Sequence, residues 1–389
     1  MIGHQRKCTV TDVGVSVVIP AFNAERWLKA TVESVLSQDY ENLELIVVND
    51  GSTDSTQEVA ERISDPRSRC IQQTNRGLSA ARNTGIRAAS GSYVALLDAD
   101  DLFRSTKLSE QVEALEKRPD LGVVTCGFEL IDEDGKVFGK QRHWIEHPDL
   151  GLSKLLFWNP LLPSTLLIRR ECFERVGLFD ETLDRYEDWE FAIRLGLAGY
   201  RIDYVRRVLL SYRRHRTNIS SSADLVKVAT NNAERFMDRV FGRKDLSREI
   251  KSLKPKVFGN LHLDAAARAY ASGLPALGRH SLEKALHFDP VLLEGDPPKW
   301  VTAICGHALG TLVRHPSSYL GLVADNLPPG KSFQPWTKHR MEAQMEAAKA
   351  FRFKSEGSLF RARWTAFRAL VSDLRLLRNR GLWSIALKP

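Results

Sequence analysis

The chain has 389 residues, 56 Lys+Arg against 48 Asp+Glu, and 43% hydrophobic residues. At about 100–200 residues per domain, this length accommodates two or three domains, and the composition excludes a disordered or collagen-like chain. No stretch reaches the roughly 18 apolar residues of a membrane span; the weakly polar run Val301–Val313 is interrupted by Gly306, His307 and Gly310.

In chain order, Met1–Val10 holds His4, Arg6 and Lys7 with no apolar core after them, so no signal peptide is expected. Val15–Pro20 reads as a buried strand. Ala24–Ser37 follows with Trp27, Leu28, Val32, Val35 and Leu36 at helical spacing. Leu43–Val48 is a second strand, Asp54–Ile63 a helix that Ser52, Thr53 or Asp54 can cap, and Arg69–Gln73 a weaker strand. Leu78–Ala89 is helical and Tyr93–Leu97 a fourth strand. Short strands separated by helices predict βαβ units and a mainly parallel sheet, whose ligands bind beyond the carboxyl ends of the strands. Beyond Leu102 the pattern loosens: a helix over Ser105–Lys117, a hairpin turning at Asp132–Gly135, short strands at Leu166–Arg169 and Val208–Tyr212, and a helix over Glu187–Ala198. From about Ala223 the chain is mainly helical. Its five cysteines, Cys8, Cys70, Cys126, Cys172 and Cys305, are odd in number and scattered, which argues against a disulfide framework or zinc site and fits a reducing cytosol.

Charge is unevenly placed. Residues 1–224 carry 29 Lys+Arg against 34 Asp+Glu, a net of −5; residues 225–389 carry 27 against 14, a net of +13. Within the basic half, Gly273–Leu293 and Gly357–Leu377 align without gaps at an offset of 84, with seven identities, a weak repeat of the kind stacked helical hairpins need. Residues 340–389 carry 11 basic and 4 acidic residues, interleaved with Phe351, Phe353, Phe360, Trp364, Phe367 and Trp383. Two readings stand: the aromatics pack the repeat's core, or a basic helix with an aromatic edge lies on an anionic bilayer. Lys and Arg are spread over helices without a nucleic-acid-binding motif, so no nucleic-acid partner is expected.

Three acidic clusters follow strands or open a helix. Asn49-Asp50-Gly51-Ser52-Thr53-Asp54 can receive hydrogen bonds from a base or ribose, or be a capped turn. Asp98-Ala99-Asp100-Asp101 crowds three carboxylates at a strand end, which calls for solvent, protonation or a cation; aspartate oxygens suit Mg²⁺ or Mn²⁺. An extended backbone there would point Asp98 and Asp100 to one side and Asp101 to the other. Glu187-Asp188-Trp189-Glu190 opens a helix, whose dipole favours acids and keeps a base there ionised.

Together these clusters resemble the family-2 glycosyltransferases. The resemblance spans about Val15–Ser222 through motifs in order: Val17–Asn23, Val47–Asp54, Asn75–Asn83, Leu97–Asp101, Gly177–Glu181 and Glu187–Trp189. It implies an inverting enzyme with a GT-A (Rossmann-like) α/β catalytic domain, residues 1–222, ahead of a basic helical region, residues 223–389. It also implies a nucleoside-diphosphate sugar donor with uracil as the usual base, although Asn49 stands where many relatives carry aspartate. Pro20, Ala21 and Asn23 would line the base and ribose pocket, Asp50 would accept from the base, Arg82 would meet the diphosphate and Asp98 would hold ribose. Asp100 would ligate Mn²⁺ or Mg²⁺, with His215 of Tyr212-Arg-Arg-His-Arg-Thr-Asn218 completing the shell or remaining a surface residue. Asp188 would be the general base, with Glu187 adjacent.

The acceptor pocket is expected around Trp144, Trp158 and Asn159–Thr165, for a glycan or lipid-linked glycan of surface-polysaccharide synthesis. The setting implied is cytoplasmic, with peripheral contact to the inner face of an anionic membrane. Two alternatives are a polyprenyl-phosphate sugar transferase, although the chain lacks the membrane segment such enzymes often append, and a non-catalytic helical-repeat protein carrying a degenerate sugar-nucleotide domain. Intact Asp98, Asp100 and Asp188 argue against degeneration.

Overall fold

Val15–Ala21 (β1) is buried at every position, which a strand achieves when both faces of its sheet are covered. The computed structural model describes residues 14–215, 225–310, 313, 315–355 and 357–387. Met1–Val10 with Cys8, Asn218 and the expected domain junction at 222/223 lie outside the described residues. The chain divides into two compact units, Met1–Ser221 and Ser222–Pro389.

In the first unit β1 is followed by α1 (Leu28–Leu36), β2 (Leu43–Asp50), α2 (Thr56–Glu61), β3 (Ser68–Gln73), α3 (Leu78–Ala88) and β4 (Tyr93–Leu96). Then come β5 (Leu102–Phe103), α4 (Lys107–Lys117), β6 (Leu121–Ile131), β7 (Val137–Gln141), α5 (Leu152–Leu155), β8 (Leu167–Arg169), α6 (Arg170–Val176), α7 (Glu187–Leu197) and β9 (Arg201–Arg213). The strand order is β3-β2-β1-β4-β8-β6-β9-β5, with β7 paired to β6. β3, β2, β1 and β4 run parallel as expected. β8 then enters antiparallel to both β4 and β6, so the sheet is mixed beyond the βαβ half. The carboxyl ends of β1, β2 and β4 carry Asn23, Asp50 and Asp98 within a few residues of one another along the sheet edge.

Three expectations shift. Helix α1 begins at Leu28 rather than Ala24, because Asn23 takes a positive φ of 50° and Ala24–Trp27 forms a turn. The strand expected at Val208–Tyr212 extends back to Arg201 in pairing with β6, with exposed Arg206 and Arg207 bulged out between the paired residues Val205 and Val208. Asp98–Asp101 is a turn closed by the Asp101 N–H donating to the Asp98 carbonyl at 3.1 Å, not an extended segment.

The second unit is helical: α8 (Leu225–Phe241), α9 (Arg248–Ser252), α10 (Lys254–Ala271), α11 (Pro275–Phe288), α12 (Lys299–His307), α13 (Pro316–Asp325), α14 (Lys338–Ser355), α15 (Leu359–Ser372) and α16 (Arg380–Leu387). Its two aligned segments sit in hairpins of the same form. An 18-residue helix (α10 or α14) is followed by glycine at φ 73° or 77° (Gly273 or Gly357), a 14-residue helix (α11 or α15) and a 3₁₀ turn after Asp289 or Asp373. Glycine permits that left-handed turn without a Cβ clash. No helix among the described residues is long and apolar enough to cross a membrane.

Candidate active site

The loop after β2 is built from its own side chains. Asp50 is buried, and its carboxylate accepts from Gln73 Nε2 (2.7 Å) and from the backbone N–H groups of Arg76 and Gly77 (both 2.9 Å). Asn49 accepts from Ser52 and donates to Gln72. Gly51 has φ 70°, and a Cβ there would come within 2.7 Å of Asn75 N. Asn23 Oδ1 receives the Thr53 N–H at 2.8 Å, tying the end of β1 to this loop. Pro20 and Ala21 are buried in β1. Thus Asp50, expected to face a base, holds the loop between β3 and α3 in place.

A second cluster joins residues far apart in sequence. Arg82, on the buried face of α3, is 1% exposed. Its Nη1 lies 2.5 Å from Glu187 Oε1 and its Nη2 2.8 Å from Asp98 Oδ1. Burial alone would lower the guanidinium pKa, but Asp98 and Glu187 outweigh it and raise it, so the group stays charged. The side chain expected to meet a diphosphate thus has a carboxylate against each terminal nitrogen. Asn83, next on α3, pins the chain leading to α7 by donating to Phe179 O (2.9 Å) and Glu181 Oε1 (3.0 Å).

Asp188 stands in the first turn of α7, after Tyr186 in a left-handed conformation at φ 65°. Its carboxyl is pushed up to about 7, first by burial and then by Glu187; Arg82, the Trp189 N–H and Asn159 pull the other way. The expectation that the helix dipole keeps this acid fully ionised is therefore corrected. Desolvation and a like charge exceed what a helix terminus supplies.

The third cluster closes the Asp98–Asp101 turn. Asp100 Oδ2 lies 2.7 Å from His215 Nε2, and the His215 ring stacks on Trp27 with centroids 4.3 Å apart. Burial and then Asp98 raise the Asp100 carboxyl. Asp101 is fully buried, accepts the Arg213 N–H at 3.0 Å and is raised well above the usual range by burial and its two neighbours. Arg213 also donates to the carbonyls of Asp100, Asp132 and Glu133. Among the described residues no three acid, histidine or cysteine side chains converge as a metal cage. Asp100 and His215 nevertheless offer one carboxylate and one imidazole beside crowded negative charge. That pair fits a divalent cation whose other positions are filled by water and phosphate oxygens.

Three supporting roles escaped the sequence reading. Trp27, read as helix core, backs His215; Arg213 ties β9 to the acidic turn; and buried Ser164 receives the Asp98 N–H at 3.1 Å. The last two contacts span 66 and 113 positions, so no local pattern announces them. Of the expected acceptor stretch, Pro163, Ser164 and Thr165 are buried support. Trp158 instead lines a cavity of about 450 Å³ with His147, Lys154, Phe157 and Glu146, and His147 stacks on it at 3.8 Å. Trp144 packs edge-on to Tyr204.

This sheet, with acids beyond the carboxyl ends of its parallel strands, has the Rossmann-like form of a GT-A domain. A family model described as Glycosyl transferase family 2 matches residues 16–177. Over 229 residues the chain is 32% identical to an uncharacterized glycosyltransferase of Rickettsia prowazekii, covering 58% of this chain and 69% of that one. Over 224 residues it is 32% identical to the uncharacterized glycosyltransferase EpsJ of Bacillus subtilis, covering 53% and 62%. The mannosyltransferase PcManGT of Pyrobaculum calidifontis, solved with GDP-Man and Mn²⁺, shares the fold at a TM-score of 0.50 and 20% identity, over 85% of this chain and 84% of that one. The chain belongs to the family-2 glycosyltransferases.

Proposed function

We propose that the enzyme moves a sugar from a nucleoside-diphosphate sugar, with uracil as the base, to an acceptor hydroxyl on a glycan or lipid-linked glycan, inverting the anomeric centre. The observation that carries this reading is Asp188: a carboxyl pushed up to about 7 beside Glu187, in one network with Asp98 at the end of β4. A base is most effective when its pKa lies near the working pH, and an ordinary aspartate is too weak to meet that condition.

In this reading the acceptor hydroxyl loses its proton to Asp188 as its oxygen attacks the anomeric carbon, and the bond to the diphosphate breaks on the opposite face. Glu187, held by Arg82, keeps Asp188 basic, so Arg82 is a positioning residue. Asp98 keeps one oxygen beyond its Arg82 contact for a ribose hydroxyl. Pro20, Ala21 and Asn23 form one wall of the base pocket, and Asp50 shapes the other. Asp100 and His215 would hold Mn²⁺ or Mg²⁺, whose charge neutralises the departing diphosphate when bound. The Trp158 cavity adjoins Asn159, a hydrogen-bond partner of Asp188, and its stacked rings suit a sugar face. The test is NMR of the anomeric configuration formed from UDP- and GDP-sugars with Mn²⁺ and oligosaccharide acceptors. An inverted product that disappears in Asp188→Asn is expected; a retained configuration overturns the mechanism.

A further inference from the structure

Helix α15 has two apolar faces, and only one is covered. Ala362, Ala366, Ala369 and Leu370 are buried in the core that Ala343, Ala347 and Ala350 of α14 share. At 100° per residue, Phe360, Trp364, Phe367 and Val371 fall on the opposite side, and they are 83%, 60%, 56% and 63% exposed. The expectation that these aromatics pack the core fails for these positions. The aligned hairpin shows that the fold does not require them. The same outward positions of α11 are Ala276, His280, Glu283 and His287, all exposed.

Arginines border the stripe: Arg363 on one side, Arg361 and Arg368 on the other. From Leu359 to Leu387 there are six arginines and a single acid, Asp373, which is buried. The stripe continues into exposed Leu374, which lines a cavity of about 540 Å³ together with Trp336, three arginines (Arg340, Arg375 and Arg378) and one exposed acid, Asp296. Arg340 is engaged there, lying over Trp336 and 3.4 Å from Asp373, while Arg375 and Arg378 are exposed.

We infer that the outward face of α15, with the adjoining arginine cavity, docks on an anionic phospholipid bilayer. The aromatics enter the acyl boundary, the arginine stems run along it, and Arg375 and Arg378 meet headgroup phosphates. Charge complementarity selects this occupant: a second copy of the face would bring arginines against arginines. The contact is peripheral, since no described helix can span a membrane, and it is independent of the transfer chemistry proposed above.

The test is co-sedimentation of the full chain with phosphatidylglycerol/phosphatidylcholine vesicles and with pure phosphatidylcholine, at low and high salt, and with inorganic phosphate as competitor. Binding to the anionic vesicles that weakens in salt and resists millimolar phosphate is expected. Arg375→Gln with Arg378→Gln should weaken it roughly five-fold for each arginine removed. Trp364→Glu should abolish it without shifting the melting temperature by more than a few degrees, which separates lost docking from lost folding. Binding indifferent to lipid charge overturns the inference. So does binding of phosphate or a soluble anionic polymer without vesicle binding, or a dimer in sedimentation velocity that Trp364→Glu converts to monomer.

Discussion

In the N-terminal unit Arg82 is almost completely enclosed and touches Asp98 and Glu187, while Asp101 is buried beside Asp100 and the same Asp98. In the C-terminal unit ion pairs lie mostly at the surface, and the anomaly is exposed hydrocarbon on α15. One unit hides charge and the other displays apolar area, each against the usual partition of residues. Buried charges need partners, and a contiguous exposed apolar patch marks a contact surface. On the readings proposed above, the two departures would serve different tasks: chemistry on a nucleotide sugar in the first unit, adhesion to a bilayer in the second.

The largest effect expected on this contrast comes from Asp188→Asn, which preserves shape and removes the proton acceptor. Transfer should fall by about 10²–10⁴-fold with donor affinity unchanged, as read by steady-state kinetics and calorimetry. Near wild-type turnover would place the base elsewhere. The wild-type kcat/KM should rise with pH and level off above about 7, because Asp188 must be ionised to accept a proton. Stability carries the opposite sign. The folded state retains this proton above the unfolded value of about 3.9, so this group's contribution is greatest below that pH and is lost as pH rises through about 7. Urea titrations across that window should show a slope that Asp188→Asn removes.

Next in size is Arg82→Met, which removes the guanidinium that Asp98 and Glu187 share. Breaking a buried pair from one side costs about 3–5 kcal/mol. Adding Asp98→Asn and Glu187→Gln should recover part of that loss, measured by urea unfolding. If the single variant is as stable as the parent, the network is solvated and the contrast between the units fails. Asp100→Ala should then weaken nucleoside-diphosphate binding in Mn²⁺ by about ten-fold or more, in the range that disturbing a metal's ligand sphere produces, and EDTA should do the same to the parent. Equal affinity with and without the ion removes the cation from the proposal.

The sequence showed the parallel half of the sheet and the acids at its edge, because strand runs such as Leu43–Val48 and the polar residues that follow are local signals. Strand β9 was legible only at its apolar end, since Arg201 and Asp203, which pair with Leu121 and Val124 of β6, and the bulged Arg206 and Arg207 break the apolar pattern. The partition of Asp98 to Arg82 and Asp100 to His215 depends on contacts 16 and 115 positions apart. The direction of the Asp188 shift depends on how completely Glu187, Asn159 and the chain enclose it; sequence supplies the dipole but not the desolvation. On α15 the composition was plain, yet that its aromatics face outward follows only from the packing of Ala362, Ala366 and Ala369 against α14.

The smallest effect expected is on the stability of α15 itself, and it separates the helix's two faces. Phe360→Ala, Trp364→His and Phe367→Glu together install the residues of the equivalent positions on α11. Those side chains are solvent-exposed, so each change should alter unfolding free energy by no more than about 0.5 kcal/mol. Leu370→Ala, on the inner face, removes a buried side chain from the α14–α15 core and should cost about 2–5 kcal/mol. Denaturant unfolding of the full chain compares the two. A large loss in the triple variant would mean that the outer face is packed in solution, and the C-terminal unit would then display no apolar surface for a membrane to meet. If the triple variant keeps its stability while Leu370→Ala loses it, the exposed stripe contributes nothing to folding. Aromatic residues that the fold does not need, set where the companion hairpin carries polar ones, are then accounted for by what they touch outside the molecule.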